Sequence, residues 1–193
     1  MTEERAAAEV TALQKILRGR RSIRRFLPTP VDPEKLRACL EAARLAPSAH
    51  NAQPWRFVVI DDPELKDRLT AGAFSGIYAS SKFAAQAPII IVLLVKRGLV
   101  AHHLGGRFQN VHYHLIDIGI AGEHIVLQAE ELGLATCWMG WFNYRRVRKV
   151  LKIPRKFKVV AIMPVGYAEK RPKREPSRKT FEEVVTFNGI ERE

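Results

Sequence analysis

Apolar residues recur at two periods along this chain, and the switches between them mark its elements. Ala6, Val10, Leu13, Ile16 and Leu17 fall on one face of a helix over residues 3–18, which Gly19 ends. Residues 20–31 form a basic loop closed by Pro28 and Pro30. Asp32 and Pro33 then start a helix as N-cap and first-turn proline, and it runs to about Leu45 before Pro47 stops it. A polar loop over 46–54 leads into a strand at Trp55–Ile60. The run Asp61-Asp62-Pro63 opens another helix, to about Ala73. Pro88 to Val95 is apolar throughout, which predicts a strand covered on both faces.

The second half follows the same logic. Residues 96–110 read as a Gly- and His-containing connection. Leu115, Ile118, Gly122, Ile125, Ala129 and Leu132 recur near every 3.5 residues, predicting a long central helix over 111–132 with Gly133 as its C-cap. Gly119, Ala121 and Gly122 thin one stretch of it, enough for another helix to approach closely. A short strand at Ala135–Met139, a helix at 143–151 and a buried strand at Phe157–Val165 follow. The tail, 167–181, is basic and Pro-rich and cannot pack alone. Phe181, Val184, Val185 and Phe187 after it read as strand-like and seek a sheet edge, as on a partner chain. The sum is an α+β fold, a central mixed sheet flanked by helices, in a single domain spanning 1–193.

Composition narrows the function classes. The chain has 193 residues, enough for one real core, and its 47% hydrophobic content excludes wholesale disorder. The longest apolar run, Ala87 to Val95, is far short of the ~20 residues of a membrane span, and no secretory pattern opens the sequence. Cys39 and Cys137 cannot form a disulfide scaffold, which points to a reducing, cytoplasmic setting. The net charge of +12 is uneven. Fourteen basic residues lie between Arg145 and Lys179, opposed only by Glu169 and Glu175, and Arg18, Arg20, Arg21, Arg24 and Arg25 form a second cluster. Nucleic acid is one partner for such charge, but no RNP pattern, zinc-finger spacing or heptad-linked basic region accompanies it. The histidines at 102, 103, 112, 114 and 124 lack the i, i+4 spacing of helical metal pairs, and 112 and 114 do not share a helix face, so no metal site is expected.

Three segments carry candidate chemistry. In Arg20-Arg21-Ser22-Ile23-Arg24-Arg25-Phe26, four guanidinium forks surround one hydroxyl, a donor set suited to a phosphate. In Pro47-Ser48-Ala49-His50-Asn51-Ala52-Gln53-Pro54-Trp55, two amides held between prolines can meet the edge of a planar heterocycle. In Trp138-Met139-Gly140-Trp141, a glycine after a buried strand lets a ligand approach the backbone closely.

Taken in this order, these segments resemble the FMN-dependent nitroreductase family. The matching motifs are Arg-Arg-Ser-Ile-Arg at 20–24, Pro-Ser-x-x-Asn-x-Gln-Pro-Trp at 47–55 and Gly-Leu-x-x-Cys-Trp-x-Gly at 133–140, with Glu-Glu-Val-Val at 182–185. The resemblance runs from about Lys15 to Val185. It implies a homodimer with FMN at its interface, a long central helix in that interface, and an arm over about 167–193 swapped onto the partner. It implies that NAD(P)H reduces the FMN and that an electron-poor small molecule, nitroaromatic or quinone, takes the electrons in a ping-pong cycle. Reductive dehalogenation or flavin breakdown on the same fold is the alternative. A nucleic-acid-binding module is a more distant one.

Carried over residue by residue, the resemblance implies a cofactor site drawn from Arg20, Arg21, Ser22, Arg24, Pro47, Ser48, Asn51, Gln53, Met139, Gly140, Trp141 and Arg178. Arg20, Arg21 and Ser22 would hold the phosphate and Arg24 would lie by the flavin pyrimidine edge. Asn51 and Gln53 would meet the ring, and Gly140 and Trp141 would bring a backbone N–H to flavin N5. Arg178 would close on the phosphate, with Arg174 or Lys179 as the second cation. No side-chain acid or base is implied, because the flavin does the chemistry. Trp141 stands where the family often has a small or acidic residue, which makes it a substrate-pocket candidate. The connection 97–112, with its histidines, would cover that pocket.

Overall fold

The structure is a computed structural model that describes residues 10–96, 111–174 and 176–189. Four strands form one sheet in the order β1-β2-β4-β3: β1 is Trp55–Ile60, β2 Ile89–Lys96, β3 Ala135–Thr136 and β4 Phe157–Gly166. Their ladders are antiparallel, and among the described residues the parallel pairing expected of a mixed sheet is confined to a bridge between Ser22 and Thr136. β2 is buried from Ile89 to Val95. Its period of two divides it between two cores. Ile89, Ile91, Leu93 and Val95 pack with Ala43, Ile118, Ile125 and Ala129 on one face. Ile90, Val92 and Leu94 pack with Leu69, Phe74 and Val147 on the other. Each such side chain contributes about 1.5–3 kcal/mol by leaving water. The register of β2 against β4 slips once between Leu93 and Leu94, where Val160 is the extra residue.

Helices α1 (Ala12–Gly19), α2 (Pro33–Arg44), α3 (Pro63–Ala73), α4 (Tyr113–Glu131), α5 (Tyr144–Val150) and α6 (Phe181–Val184) complete the fold. The caps are those the sequence announces. The Asp32 carboxylate accepts from the Glu34 N–H, and Asp62 from Leu65. Thr11 forms a capping box with Gln14, so α1 begins there within the described residues, while 3–9 of the expected helix lie outside them. Gly133 follows α4 with φ of 75°, the left-handed conformation a helix C-terminus favours. Long α4 lies over β1, β2, β3 and α2.

Four expectations change. The strand over Ala135–Met139 is a two-residue ladder, after which the chain breaks and rejoins β4 through a Met139–Ile162 bridge. The break lets the Trp138 indole turn into the notch at Gly122, where its N–H donates to Glu123 Oε2 at 3.1 Å. A Cβ at Gly122 would stand 2.3 Å from Trp138 Cη2 and 2.9 Å from Leu93 Cδ2, so the thin stretch of α4 admits an indole there as well as helix α2 nearby. Residues 76–86, where no element is predicted, form 3₁₀ turns that leave Ser81 and Ala84 buried. Phe181–Val184 is a helical turn with its own Thr180–Glu183 capping box, not a strand. The connection beyond Lys96 lies outside the described residues up to 110.

Two predictions follow from this packing. Gly122→Ala gains helix propensity but forces a methyl into Trp138, and the clash dominates: stability falls by about 1–3 kcal/mol in urea denaturation. Cys39 is fully buried, and burial pushes its thiol from 9.0 up to about 11. The unfolded thiol loses its proton first, so stability holds below pH 9 and declines as pH rises from there toward 11. Cys39→Ala removes that component of the decline, measured by chemical denaturation across the same window.

Candidate functional site

The arginine segment is not a free loop. The Ile23 N–H donates to Thr136 O at 2.9 Å, the Leu27 N–H to Tyr167 O at 2.9 Å and the Glu169 N–H to Arg25 O at 3.1 Å. Residues 22–27 therefore run as an extra edge beyond β3, with Ile23 and Phe26 buried against Ala87 and Ala135. Those anchors hold Arg20 half-buried and leave Ser22, Arg24 and Arg25 exposed. Arg24 lies over the Phe83 ring, 6.0 Å from its centroid. The segment also lies beside Cys137. Burial pushes the Cys137 thiol up, and the Arg24 and Arg20 guanidinium charges oppose that rise. Arg21 turns back instead, donating to Arg20 O at 2.9 Å and to Arg18 O, which ties up that end of the fork at the C-terminus of α1. Its Nε is buried and has no hydrogen-bond partner among the described residues.

The chain from Cys137 continues through buried Met139 to exposed Gly140. A Cβ at Gly140 would meet nothing within 4 Å, so the surrounding chain leaves that side of the backbone open. Trp141 is 54% exposed, and its indole N–H donates to Ile77 O at 3.0 Å. The arginine segment and the Gly140 loop thus belong to one neighbourhood, joined by the Ser22–Thr136 bridge.

The amide loop stands elsewhere. It leads into β1, while the arginine segment flanks β3, and these are opposite edges of the sheet, roughly 14 Å apart at three strand spacings. The loop is strained: His50, Asn51 and Gln53 all have positive φ, at 51°, 51° and 44°. Asparagine and histidine tolerate this region, but Gln53 precedes a proline, and each outlier costs on the order of 1–3 kcal/mol. Ser48 Oγ accepts from the Gln53 N–H at 3.0 Å, and Gln53 Nε2 donates to Asn51 Oδ1 at 2.9 Å. The two amides thereby lock each other and remain exposed, with Pro47 also exposed beside them. Gln53 further lines a cavity of about 380 Å³ with Leu40, Arg44, Trp55 and Phe57.

Sequence reasoning missed the tether of this loop. Asp117, only 3% exposed on α4, accepts from the Ala49 N–H at 3.0 Å through Oδ1. An aspartate inside an apolar helical run was the available signal. Arg178 belongs to neither group. From Glu169 to Gly189 every described residue except Val185 is exposed, and the Arg178 guanidinium donates to the neighbouring Ser177 O. Arg171 pins the root of this arm, donating to the Glu130 carboxylate and to Leu134 O. The rings of His112 and His114 come within 5.6 Å because His112 is the non-helical N-cap of α4, so helical spacing does not separate them. Among the described residues, no group of three or more His, Cys, Asp or Glu could hold a metal ion, and no helix is long and apolar enough to cross a membrane. Asp117→Ala leaves the Ala49 N–H unpaired and should cost about 1–3 kcal/mol in urea denaturation, whereas Asp117→Asn keeps an acceptor and recovers most of it.

Comparisons with known proteins identify the family and the fold. The model of the nitroreductase family matches residues 17–167. The chain is 30% identical over 174 residues to an NADH dehydrogenase of Thermus thermophilus, covering 77% of this chain and 82% of that protein. An FMN-dependent nitroreductase of Clostridium difficile R20291 superposes with a TM-score of 0.74 at 30% identity, covering 91% of this chain and 98% of the other. An iodotyrosine deiodinase of Thermotoga neapolitana is 24% identical over 195 residues, covering 91% and 98%. With a family model spanning all three motif segments and a fold shared nearly end to end, the chain belongs to the nitroreductase family of oxidoreductases.

Proposed function

We propose that this protein binds FMN and uses NAD(P)H to reduce an electron-poor aromatic acceptor, a nitro compound or a quinone. The observation that carries the reading is the arginine segment, fixed by backbone bonds beside the strand that leads to Gly140. The residues present suit the cofactor. Arg20, Ser22 and Arg24 offer charge-assisted donors for a phosphate, Arg21 has a buried Nε without a described partner, and open space flanks Gly140. FMN, when bound, supplies the two-electron transfer between NAD(P)H and acceptor. The chain supplies position and charge. Arg20 and Ser22 would hold the phosphate, Arg24 would supply a cation for the ring, and the open Gly140 backbone would take the ring's edge. No side-chain acid or base is required of the protein.

The amide loop fits this reading only if a second copy completes the site. One chain keeps Asn51 and Gln53 at the far sheet edge from Arg20, so a homodimer would set the loop of one subunit beside the arginines of its partner. Uncovered apolar surface supports the same assembly. Leu13 and Leu17 on α1 are 55% and 51% exposed, and Phe181 and Phe187 on the arm are 60% and 78% exposed. The arm would then cross to the partner and deliver Arg178 there, with Arg174 or Lys179. Dehalogenation or flavin breakdown remains the second reading, favoured by the indole at Trp141 and by the relative named as a deiodinase.

The visible spectrum of purified protein incubated with FMN tests the proposal. Retained flavin absorbing near ~450 nm after gel filtration is expected. NADH or NADPH should bleach it, and a nitroaromatic should restore it. Arg20→Glu should weaken FMN binding at least tenfold while circular dichroism stays unchanged. Protein that stays colourless after FMN is added overturns the reading.

A further inference from the structure

We infer that Trp141, Tyr78 and Tyr144, with Arg145 among them, form a rigid wall that selects planar aromatic acceptors carrying a negative charge. The inference rests on the flavin reading above, which puts the acceptor beside Gly140.

Trp141 and Tyr144, three residues apart at one rim, are 54% and 51% exposed and present two large ring surfaces to solvent. Trp141 is nonetheless immobilised. Its indole N–H is bonded to Ile77 O, its carbonyl accepts from Ser81 Oγ at 2.9 Å, and its ring lies 5.0 Å from that of Tyr78 at 52°. The 3₁₀ segment Gly76–Gln86 therefore serves as the backing of this indole, which explains why an unpredicted stretch folds tightly there. The N-terminus of α5 is docked alongside, through the Asn143 N–H donating to Ala73 O at 2.8 Å. That contact brings Tyr144 and Arg145 to the same rim.

Arg145 supplies the charge selection. Its Nε donates to Tyr144 Oη at 3.3 Å, and its guanidinium carbon sits 5.9 Å from the Tyr144 ring centroid. The Tyr144 hydroxyl raises the guanidinium above its ordinary value, and the Tyr78 phenol adds to that effect, so the cation is within electrostatic reach of both rings. Among the described residues it has no carboxylate partner, unlike Arg44 and Arg171, which are paired with Glu41 and Glu130. A fixed aromatic surface with an unpaired guanidinium at its edge is complementary to a flat ring bearing a carboxylate: the ring stacks and the fork takes the two oxygens. Neutral rings gain only the stacking, and cationic rings meet a repulsive charge.

The test uses the FMN-loaded protein and three acceptors that share a nitrophenyl ring and differ in charge, 4-nitrobenzoate, nitrobenzene and (4-nitrobenzyl)trimethylammonium. Expected kcat/KM falls in that order, with about tenfold or more between anion and cation. Arg145→Glu should reverse the order of the two charged acceptors and change nitrobenzene less than threefold. A binding readout accompanies it. Trp141 is the one tryptophan more than a third exposed, so its fluorescence should be quenched by iodide and, without reductant, saturably by 4-nitrobenzoate, and Trp141→Phe should abolish both. An active, yellow enzyme whose acceptor ranking is indifferent to Arg145→Glu overturns the wall and leaves the flavin reading intact. Trp141 shielded from iodide means the patch is covered in solution, and overturns it too. A colourless protein sinks the flavin reading, and the fluorescence titration then decides the wall alone.

Discussion

Strand β2 has no solvent-facing side, and the fold is organised by what that requires. Seven consecutive buried residues, Ile89 to Val95, need an apolar cover on both faces and a hydrogen-bonded neighbour on both edges. β1 and β4 supply the edges. Helices α2 and α4 cover one face, and α3, α5 and the 3₁₀ segment cover the other. The candidate functional segments are what this arrangement leaves at the periphery. The amide loop enters β1, and the arginine segment closes the sheet beyond β3. Their separation follows directly from strand order, and it is the physical argument for a site completed by a second chain.

The uneven charge acquires a partial explanation from the same geometry. Arg44 and Arg171 are spent inside the chain on glutamates, and one end of the Arg21 fork on the carbonyls of Arg18 and Arg20. Arg20 and Arg24 face the strand that leads to Gly140, close enough to act on the Cys137 thiol. Arg145 rests on aromatic rings. Arg148 is half-buried and donates to Ile153 O at 3.3 Å, while Arg146 and Lys149 of α5, Lys158 of β4 and the remaining cations of the arm lie on exposed surface.

The site also shows where local order is stored. Three left-handed residues in one nine-residue loop would not persist on local preference alone, and the Asp117 tether and the Ser48 hydroxyl hold them. Trp141 is likewise held by contacts from a segment sixty residues away. Both are rigid before any ligand arrives, so a ligand need not meet the entropy of ordering them.

Much of this was legible in the residues. Caps at Asp32, Asp62 and Gly133, the apolar run of β2 and the period of α4 act over a few positions, so the chain reveals them locally. The arginine, amide and glycine segments stood out in the sequence as candidate chemistry, because they concentrate guanidinium forks, amides and a bare backbone within a few positions each. What the sequence could not decide depends on partners far apart in the chain. Trp138 breaks β3 because Gly122, sixteen residues away, leaves a notch for it. The tail reads as a strand by its β-branched and aromatic residues, but among the described residues no sheet edge receives it, and a local capping box winds it into a turn. The amide loop and the arginines look like one site in sequence, yet strand order sends them to opposite edges. Short-range propensity and side-chain chemistry were thus set by the sequence alone. Which groups could meet was decided by the tertiary structure, because only the packed sheet determines which edges and notches stand side by side.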